Sequence, residues 1–284
     1  MLVCIGDVVE DVVIWTAAPL HHGTDNPGRI VRTRGGSAAN VAVFAAACGA
    51  PTRFVGRVGD DALGESLAAQ LAADGVEPRL QHVGRTGSIV VLVAPDGERT
   101  MFPDRAAAAE LADVPAAWLA GARVVHAPAY SLLDGPIGAT TRGLLAAARA
   151  AGALVSIDVS SVDLVRRVGA DAFAELLCAI APDVLFANAD EAAALDLDAS
   201  SALTGTTLVL KAGARPAVVR TPDGTRHEVA PEPVAAVRDT TGAGDAFAAG
   251  YLSALLDGAA PRAAALAGHR LAARVLASPG ARLV

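Results

Sequence analysis

Short apolar runs alternate with stretches of helical periodicity along most of this chain. Leu2–Ile5 is continuously apolar and ends at Gly6-Asp7, which predicts a strand buried on both faces. Val8, Val9, Val12, Val13 and Ile14 continue as β-prone positions around Glu10 and Asp11, and residues 30–34 alternate like a strand with one wet face. Gly35-Gly36-Ser37-Ala38-Ala39-Asn40 then turns into a helical stripe that runs to Cys48 and stops at Gly49. Residues 52–55 predict a strand, and Asp60-Asp61 opens a helix reaching Ala73. Residues 88–94 and 98–102 flank Pro95-Asp96-Gly97, a hairpin turn; Pro222-Asp223-Gly224 marks a second. Further strands are predicted at 124–127, Leu154–Asp158, 184–187, Thr207–Lys211 and 217–221. Helices are predicted at 138–151, 170–179, 190–195, 246–256 and Pro261–Leu276.

From Thr52 onward strand and helix alternate, the pattern of a mostly parallel sheet covered by helices on both faces. Two segments, about 11–34 and 79–104, are β-rich with few helices. The economical assembly pairs them into a small sheet standing over the carboxyl edge of the main one. Ligands bind at that edge in open α/β sheets, so the small sheet is expected to be a lid.

Composition narrows the function. The net charge is −7, which removes an electrostatic basis for a nucleic-acid partner. Lys211 is the only lysine. Cys4, Cys48 and Cys178 are odd in number, far apart and set in apolar runs, and are expected to be buried thiols of a reducing compartment. No stretch reaches the ~18 apolar residues of a membrane span, and Asp7 interrupts the amino-terminal apolar run too early for a signal peptide. A cytoplasmic protein without a membrane partner is expected.

Residues 239–247, Asp-Thr-Thr-Gly-Ala-Gly-Asp-Ala-Phe, carry the most chemistry. A small-residue loop feeds the first turn of a helix, whose amides lack intrahelical partners and carry partial positive charge. Gly242 and Gly244 let a bulky anion approach the backbone. Asp245 would repel that anion, unless it takes a proton from a group attacking it; alternatively it only caps the helix. There is no Gly-x-x-x-x-Gly-Lys-Ser/Thr loop, no protein-kinase motif set and no Gly-x-Ser-x-Gly elbow. Phe247 stands where a dinucleotide fingerprint needs a third small residue, which weakens an oxidoreductase reading. The histidines show no ligand spacing, and His126, in an apolar strand, reads as a satisfied core residue.

Four motifs in order resemble those of the PfkB/ribokinase family of small-molecule kinases. Gly35 to Asn40, followed by residues 56–64, resembles its amino-terminal signature; Asn188-Ala189-Asp190-Glu191 resembles its Asn-x-x-Glu motif; residues 211–215 resemble its nucleotide loop; and residues 239–247 resemble its carboxyl-terminal signature. The resemblance implies one ribokinase-like domain over 1–284, a three-layer α/β/α sandwich with a mostly parallel sheet and a small β lid. It implies transfer of the γ-phosphoryl group of ATP to an alcohol, with the backbone of Gly242, Ala243 and Gly244 as anion hole and Asp245 as general base. Asp11, Gly35, Gly36 and Asn40 would bind the acceptor. Asn188, Glu191, Lys211, Gly213 and Arg215 would bind the nucleotide, with Glu191 acting on Mg²⁺ through water. Asp239, with the late turn from Ser278 to Ala281, resembles a potassium loop.

The acceptor expected is a sugar or sugar derivative. A nucleoside is the alternative, and a non-catalytic sugar or nucleotide sensor is the reading from another class. Asp104-Arg105-Ala106-Ala107 lacks the family's glycine and asparagine, Val9 stands where ribokinases place an asparagine, and Ser37 replaces their lysine; these put ribose itself in doubt. Pro216 departs from the nucleotide segment, where glycine is usual. Arg99 and Arg105 are expected either to face an anionic or polar group from the lid or to be solvated. The exposed lid edge is the expected surface of a homodimer.

Overall fold

The structure is a computed structural model and describes residues 1–133, 135–197, 203–234, 236–277, 281 and 283. The chain begins with β1 (Leu2–Ile5), β2 (Val9–Thr16), β3 (Gly28–Gly35), α1 (Ser37–Ala47), β4 (Thr52–Val58), α2 (Ala62–Ala73) and β5 (Val76–His82). It continues with β6 (Thr86–Val93), β7 (Arg99–Ala106), β8 (Val124–Pro128), α3 (Gly135–Ala150), β9 (Leu154–Asp158), α4 (Val162–Val168) and α5 (Ala170–Ile180). It ends with β10 (Val184–Asn188), α6 (Ala189–Ala194), β11 (Thr207–Lys211), β12 (Ala217–Arg220), β13 (Arg226–Val229), α7 (Ala243–Leu256) and α8 (Pro261–Leu276).

Among the described residues the strands form a nine-stranded sheet, β13-β12-β11-β10-β9-β8-β1-β4-β5, and a four-stranded sheet, β3-β2-β6-β7. The large sheet is parallel from β11 to β5; β12 runs against these strands, and β13, antiparallel to β12, runs with them again. β1 lies between β4 and β8 and its four residues are fully buried, as a continuously apolar run requires. Two apolar layers cover the sheet. Phe44, Phe54, Phe186 and Tyr251 belong to one, and Ile5, Ile157 and Phe173 to the other. These are the expected three layers.

The boundaries differ in four places. Residues 79–82, assigned to the lid from sequence, belong to β5, which pairs in parallel with β4 at the edge of the main sheet. Its polar positions read like those of a small wet sheet, but an edge strand carries them too. The amphipathic helix α4 was not anticipated. α7 starts at Ala243, three residues before the predicted Ala246, so the candidate anion loop is itself the first helical turn. Among the cysteines Cys4 is buried as expected, whereas Cys48 and Cys178 are exposed; Cys48 caps α1, where the helix end meets solvent.

α7 is clamped against α8 by mutual absence of side chains. A Cβ on Gly250 would lie 2.7 Å from the Ala267 carbonyl oxygen, and one on Gly268 would lie 2.8 Å from that of Phe247. Phe186 of the sheet meets Tyr251 edge-on at 5.3 Å between ring centroids. The amino terminus of α7 is thereby set at the carboxyl edge of the sheet, with little freedom to shift.

Candidate active site

Gly242 is the residue before α7 and sits at φ 75, in the left-handed region that favours glycine. A Cβ there would also lie 2.6 Å from that of Ala281. The Ala246 amide closes the first helical bond on the Gly242 carbonyl, and the Ala243 amide donates to the Thr240 carbonyl at 3.2 Å. Of the expected anion-hole amides, that of Ala243 therefore has a partner in its own turn. Gly244 and Asp245 are the second and third helical residues, where amides have no partner within the helix.

Asp245 is held from α1. Ser37 Oγ donates to one carboxylate oxygen at 2.7 Å and Asn40 Nδ2 to the other at 2.9 Å. Ser37 and Asn40 share a helix face because they are three residues apart. Burial pushes the Asp245 pKa up to about 6, with the Asp158 charge adding to it, against the two donors and Lys211. A group poised near neutrality suits a general base.

Lys211, at the carboxyl end of β11, reaches back over this turn. A Cβ on Gly244 would lie 3.4 Å from its Nζ, so the ammonium sits at the positive end of α7. Nζ donates to Asp158 Oδ2 at 2.5 Å. Burial works to lower the Lys211 pKa, but contact with Asp158, with Glu191 and Asp245 beyond it, outweighs burial and holds it above its ordinary value. Three carboxylates thus share one ammonium, and the site has room for more positive charge.

Asn188 and Glu191 form a reciprocal capping box at the start of α6. Glu191 Oε2 accepts from the Asn188 amide at 2.8 Å and Oε1 from Asn188 Nδ2 at 2.8 Å, while the Glu191 amide donates to Asn188 Oδ1 at 2.9 Å. Burial, then the Asp158 charge, pushes the Glu191 pKa up to about 7.

These groups open on a cavity of about 1010 Å³. Its polar end is made by Ser37, Asp158, Glu191, Lys211 and Asp245, and its far end by apolar residues such as Pro231, Val234, Val237 and Leu276. Gly213 lines it, whereas Arg215, in the same turn, is exposed and is not part of the wall. Ser160, also in the wall, has φ 68, an uncommon conformation for serine, and its amide donates to Asp158 Oδ1 at 3.0 Å.

A second group of expected site residues lies at the small sheet. Asp11 faces Gly35, where a Cβ would fall 2.1 Å from Asp11 Oδ1. Gly36 packs on the Asp7 carbonyl oxygen, 2.2 Å from where its Cβ would be, and has φ 99. Burial, then the Asp245 charge, pushes the Asp11 pKa up to about 6, against Arg34. Arg105 makes two bonds to the Asp7 carboxylate, at 2.6 and 2.7 Å. From the opposite end of β7, Arg99 bonds Asp239 Oδ1 at 2.5 Å, and the same oxygen accepts from the amide and hydroxyl of Thr241 at 2.8 and 2.7 Å. Both arginines therefore face acids from the lid. Ser278, Pro279 and Gly280 of the expected potassium loop lie outside the described residues.

The geometry brings Asp245, Gly242, Ala243, Gly244, Lys211, Gly213, Asn188 and Glu191 to one cavity; Asn40 reaches it by its bond to Asp245, whereas Asp11, Gly35 and Gly36 lie outside its wall. Sequence reasoning missed Asp158 and gave Ser37 no contact with Asp245. An acid closing a buried strand was the available signal for Asp158. His126 is fully buried, with Nδ1 3.0 Å from Ser156 Oγ, no partner at Nε2 and a pKa that burial lowers to about 4. It is a core residue as expected, though only half satisfied. Among the described residues no group of acids, histidines and cysteines is arranged to hold a metal alone, and no helix is long and apolar enough to cross a membrane.

Comparison with known proteins agrees with this geometry. The chain is 31% identical over 267 residues to a fructokinase of Klebsiella pneumoniae, covering 88% of this chain and 83% of that protein. It is 34% identical over 239 residues to an ATP-dependent ribose-1-phosphate kinase of Halopiger xanaduensis, covering 81% and 76%. The crystal structure of adenosine kinase from Sinorhizobium meliloti superposes with a TM-score of 0.88 at 25% identity, over 100% of this chain and 95% of that one. A probable sugar kinase from Rhizobium etli shares the fold, with a TM-score of 0.87 at 24% identity, over 100% and 94%. The family description "pfkB family carbohydrate kinase" matches residues 1–284. The chain therefore belongs to the pfkB family of carbohydrate kinases, phosphotransferases whose acceptor is an alcohol.

Proposed function

We propose that this protein transfers the γ-phosphoryl group of ATP to a hydroxyl of a sugar or sugar derivative, with Asp245 as general base. The observation that carries the proposal is the position of Asp245. Its carboxylate is fixed by Ser37 and Asn40 in the first turn of α7, at the junction between the large cavity and the acceptor side. ATP occupies the cavity, its base among Pro231, Val234, Val237 and Leu276 and its phosphates toward Lys211 and the start of α7. Asn188, Glu191 and Gly213 flank the phosphates, and Arg215 lies at the rim. The acceptor hydroxyl sits beside Asp245, which takes its proton as the oxygen bonds to phosphorus and the bond to the ADP oxygen breaks. The Gly242–Gly244 turn and Lys211 balance the charge on the moving group.

A magnesium ion bound with the phosphates would neutralise their charge, and Glu191, with Asp158 nearby, would hold it through water. The raised Glu191 pKa and the excess of carboxylates over Lys211 fit such a cation. A potassium ion at Asp239 fits less well, because Oδ1 already accepts from Arg99 and twice from Thr241; no step depends on one. Ile30 and Phe102, 60% and 58% exposed, lie on the lid face opposite Asp11 and suit a homodimer in the cytoplasm. A nucleoside acceptor is the second reading, favoured by the adenosine kinase superposition.

The test is Asp245→Asn. ADP formation with the best acceptor of a sugar and nucleoside screen should fall roughly 100- to 10,000-fold, while ATP affinity measured by calorimetry stays within a few-fold. A variant of near wild-type rate would remove Asp245 from the role of base.

A further inference from the structure

Two buried side-chain atoms on the acceptor side, Asp11 Oδ1 and Asn40 Oδ1, have no hydrogen-bond partner among the described residues. Asn40 is only 6% exposed, and its Nδ2 is committed to Asp245. Both orphan atoms are acceptors, because a carboxylate oxygen and an amide carbonyl oxygen offer only lone pairs. Leaving such groups buried and unpaired costs free energy, so the site is built for a ligand that donates. Hydroxyls donate. Phosphate and carboxylate groups ionised at neutral pH only accept.

Charge points the same way. Asp11 lies within electrostatic reach of Asp245, so two carboxylates face the acceptor. Two nearby cations are already engaged, Arg105 by both oxygens of Asp7 and Lys211 by Asp158, and Arg34, which pairs with Glu10 on the sheet face opposite Asp11, bonds Asp74 at 3.3 Å. The backbone at Gly35 and Gly36 packs directly on Asp11 and on the Asp7 carbonyl, leaving no space between them for a larger anion. The lid strands add an apolar wall: Val13, Val91 and Met101 share the face that carries Asp11.

Given the kinase activity proposed above, we propose that the acceptor is an uncharged molecule rich in hydroxyl donors, a free sugar or a nucleoside, and that phosphorylated and acidic acceptors are rejected. The Asp7–Arg105 pair is the element that withholds a cation from them.

Matched acceptors decide this. ADP release is followed with ATP and Mg²⁺ for fructose against fructose 6-phosphate, ribose against ribose 1-phosphate, and adenosine against adenosine 3′-monophosphate. The expected result is turnover of at least one neutral member, with kcat/KM at least ~100-fold lower for its phosphate. Asp7→Asn, which releases Arg105, should narrow that ratio at least ~10-fold. A phosphate ester used as well as or better than its neutral partner overturns the inference and leaves the kinase activity standing. No turnover of any acceptor, with phosphate esters bound as tightly as neutral members in calorimetry, overturns both.

Discussion

Lys211 Nζ and Asp158 Oδ2 lie 2.5 Å apart, with side chains only 15% and 5% exposed, so the lone lysine of the chain is half of a buried ion pair at the mouth of the site. Removing one partner strands the other charge in a poorly solvated place. Lys211→Met should destabilise the protein by about 3–5 kcal/mol. The double variant Asp158→Asn/Lys211→Met should recover most of that in urea unfolding and remain inactive. Recovery of turnover along with stability would show that the lysine serves the fold alone.

The rate should follow the ionisation of Asp245. Its pKa is raised to about 6, and the base must be unprotonated to act. With acceptor and ATP saturating, kcat should be level above pH 7 and fall tenfold per unit well below pH 6. The same shift has a stability sign. A carboxylate bound more tightly to its proton in the folded state than in the unfolded one, as here and in Asp11, stabilises the fold as pH drops through about 6, in full only below the unfolded value. Asp245→Asn should therefore gain stability over wild type at pH 8 and lose that advantage near pH 4. A kcat unchanged from pH 8 to pH 5 would assign the proton to another group.

Asp11 and Gly35 make one prediction together. Any side chain at position 35 would occupy the place of the Asp11 carboxylate. Gly35→Ala and Asp11→Ala should both raise the acceptor KM at least ~10-fold, while the KM for ATP moves less than ~2-fold. Equal changes in both constants would remove Asp11 from the acceptor site.

Arg99 ties the lid to the loop before α7 through Asp239, across 140 residues of sequence. The pair is partly solvated, 33% and 13% exposed, which limits it to ~1 kcal/mol, about fivefold. Arg99→Gln should raise the acceptor KM by about that factor at low salt and by less in 0.5 M KCl. No change at low salt would mean that the bond does not assist lid placement.

Much of this was legible in the sequence where a pattern is local. The buried run Leu2–Ile5, the hairpin at Pro95-Asp96-Gly97 and the helix after Gly36 each follow from a few neighbours. The helical start of α7 was not, because Ala243 and Gly244, which are helical, and Gly242, the left-handed residue before them, have the composition of a loop. β5 was misplaced because an edge strand with one wet face reads like a lid strand. Asp158 was hidden for a different reason, and so was the identity of the acid that Arg105 meets. The pairs Asp158–Lys211 and Asp7–Arg105 are 53 and 98 residues apart, and only the folded sheet brings them together.

The capping box at Asn188 also bears on the order in which ligands arrive. Both Glu191 oxygens serve the first turn of α6, and pulling one onto a bare metal ion would undo that turn. Glu191 thus offers a free Mg²⁺ ion no oxygen outside that box. On the function proposed above, the ion would arrive with ATP, and Glu191 would act on it through water. Titration of Mg²⁺ alone should leave the melting temperature unmoved, and the metal should count in the kinetics as part of the nucleotide.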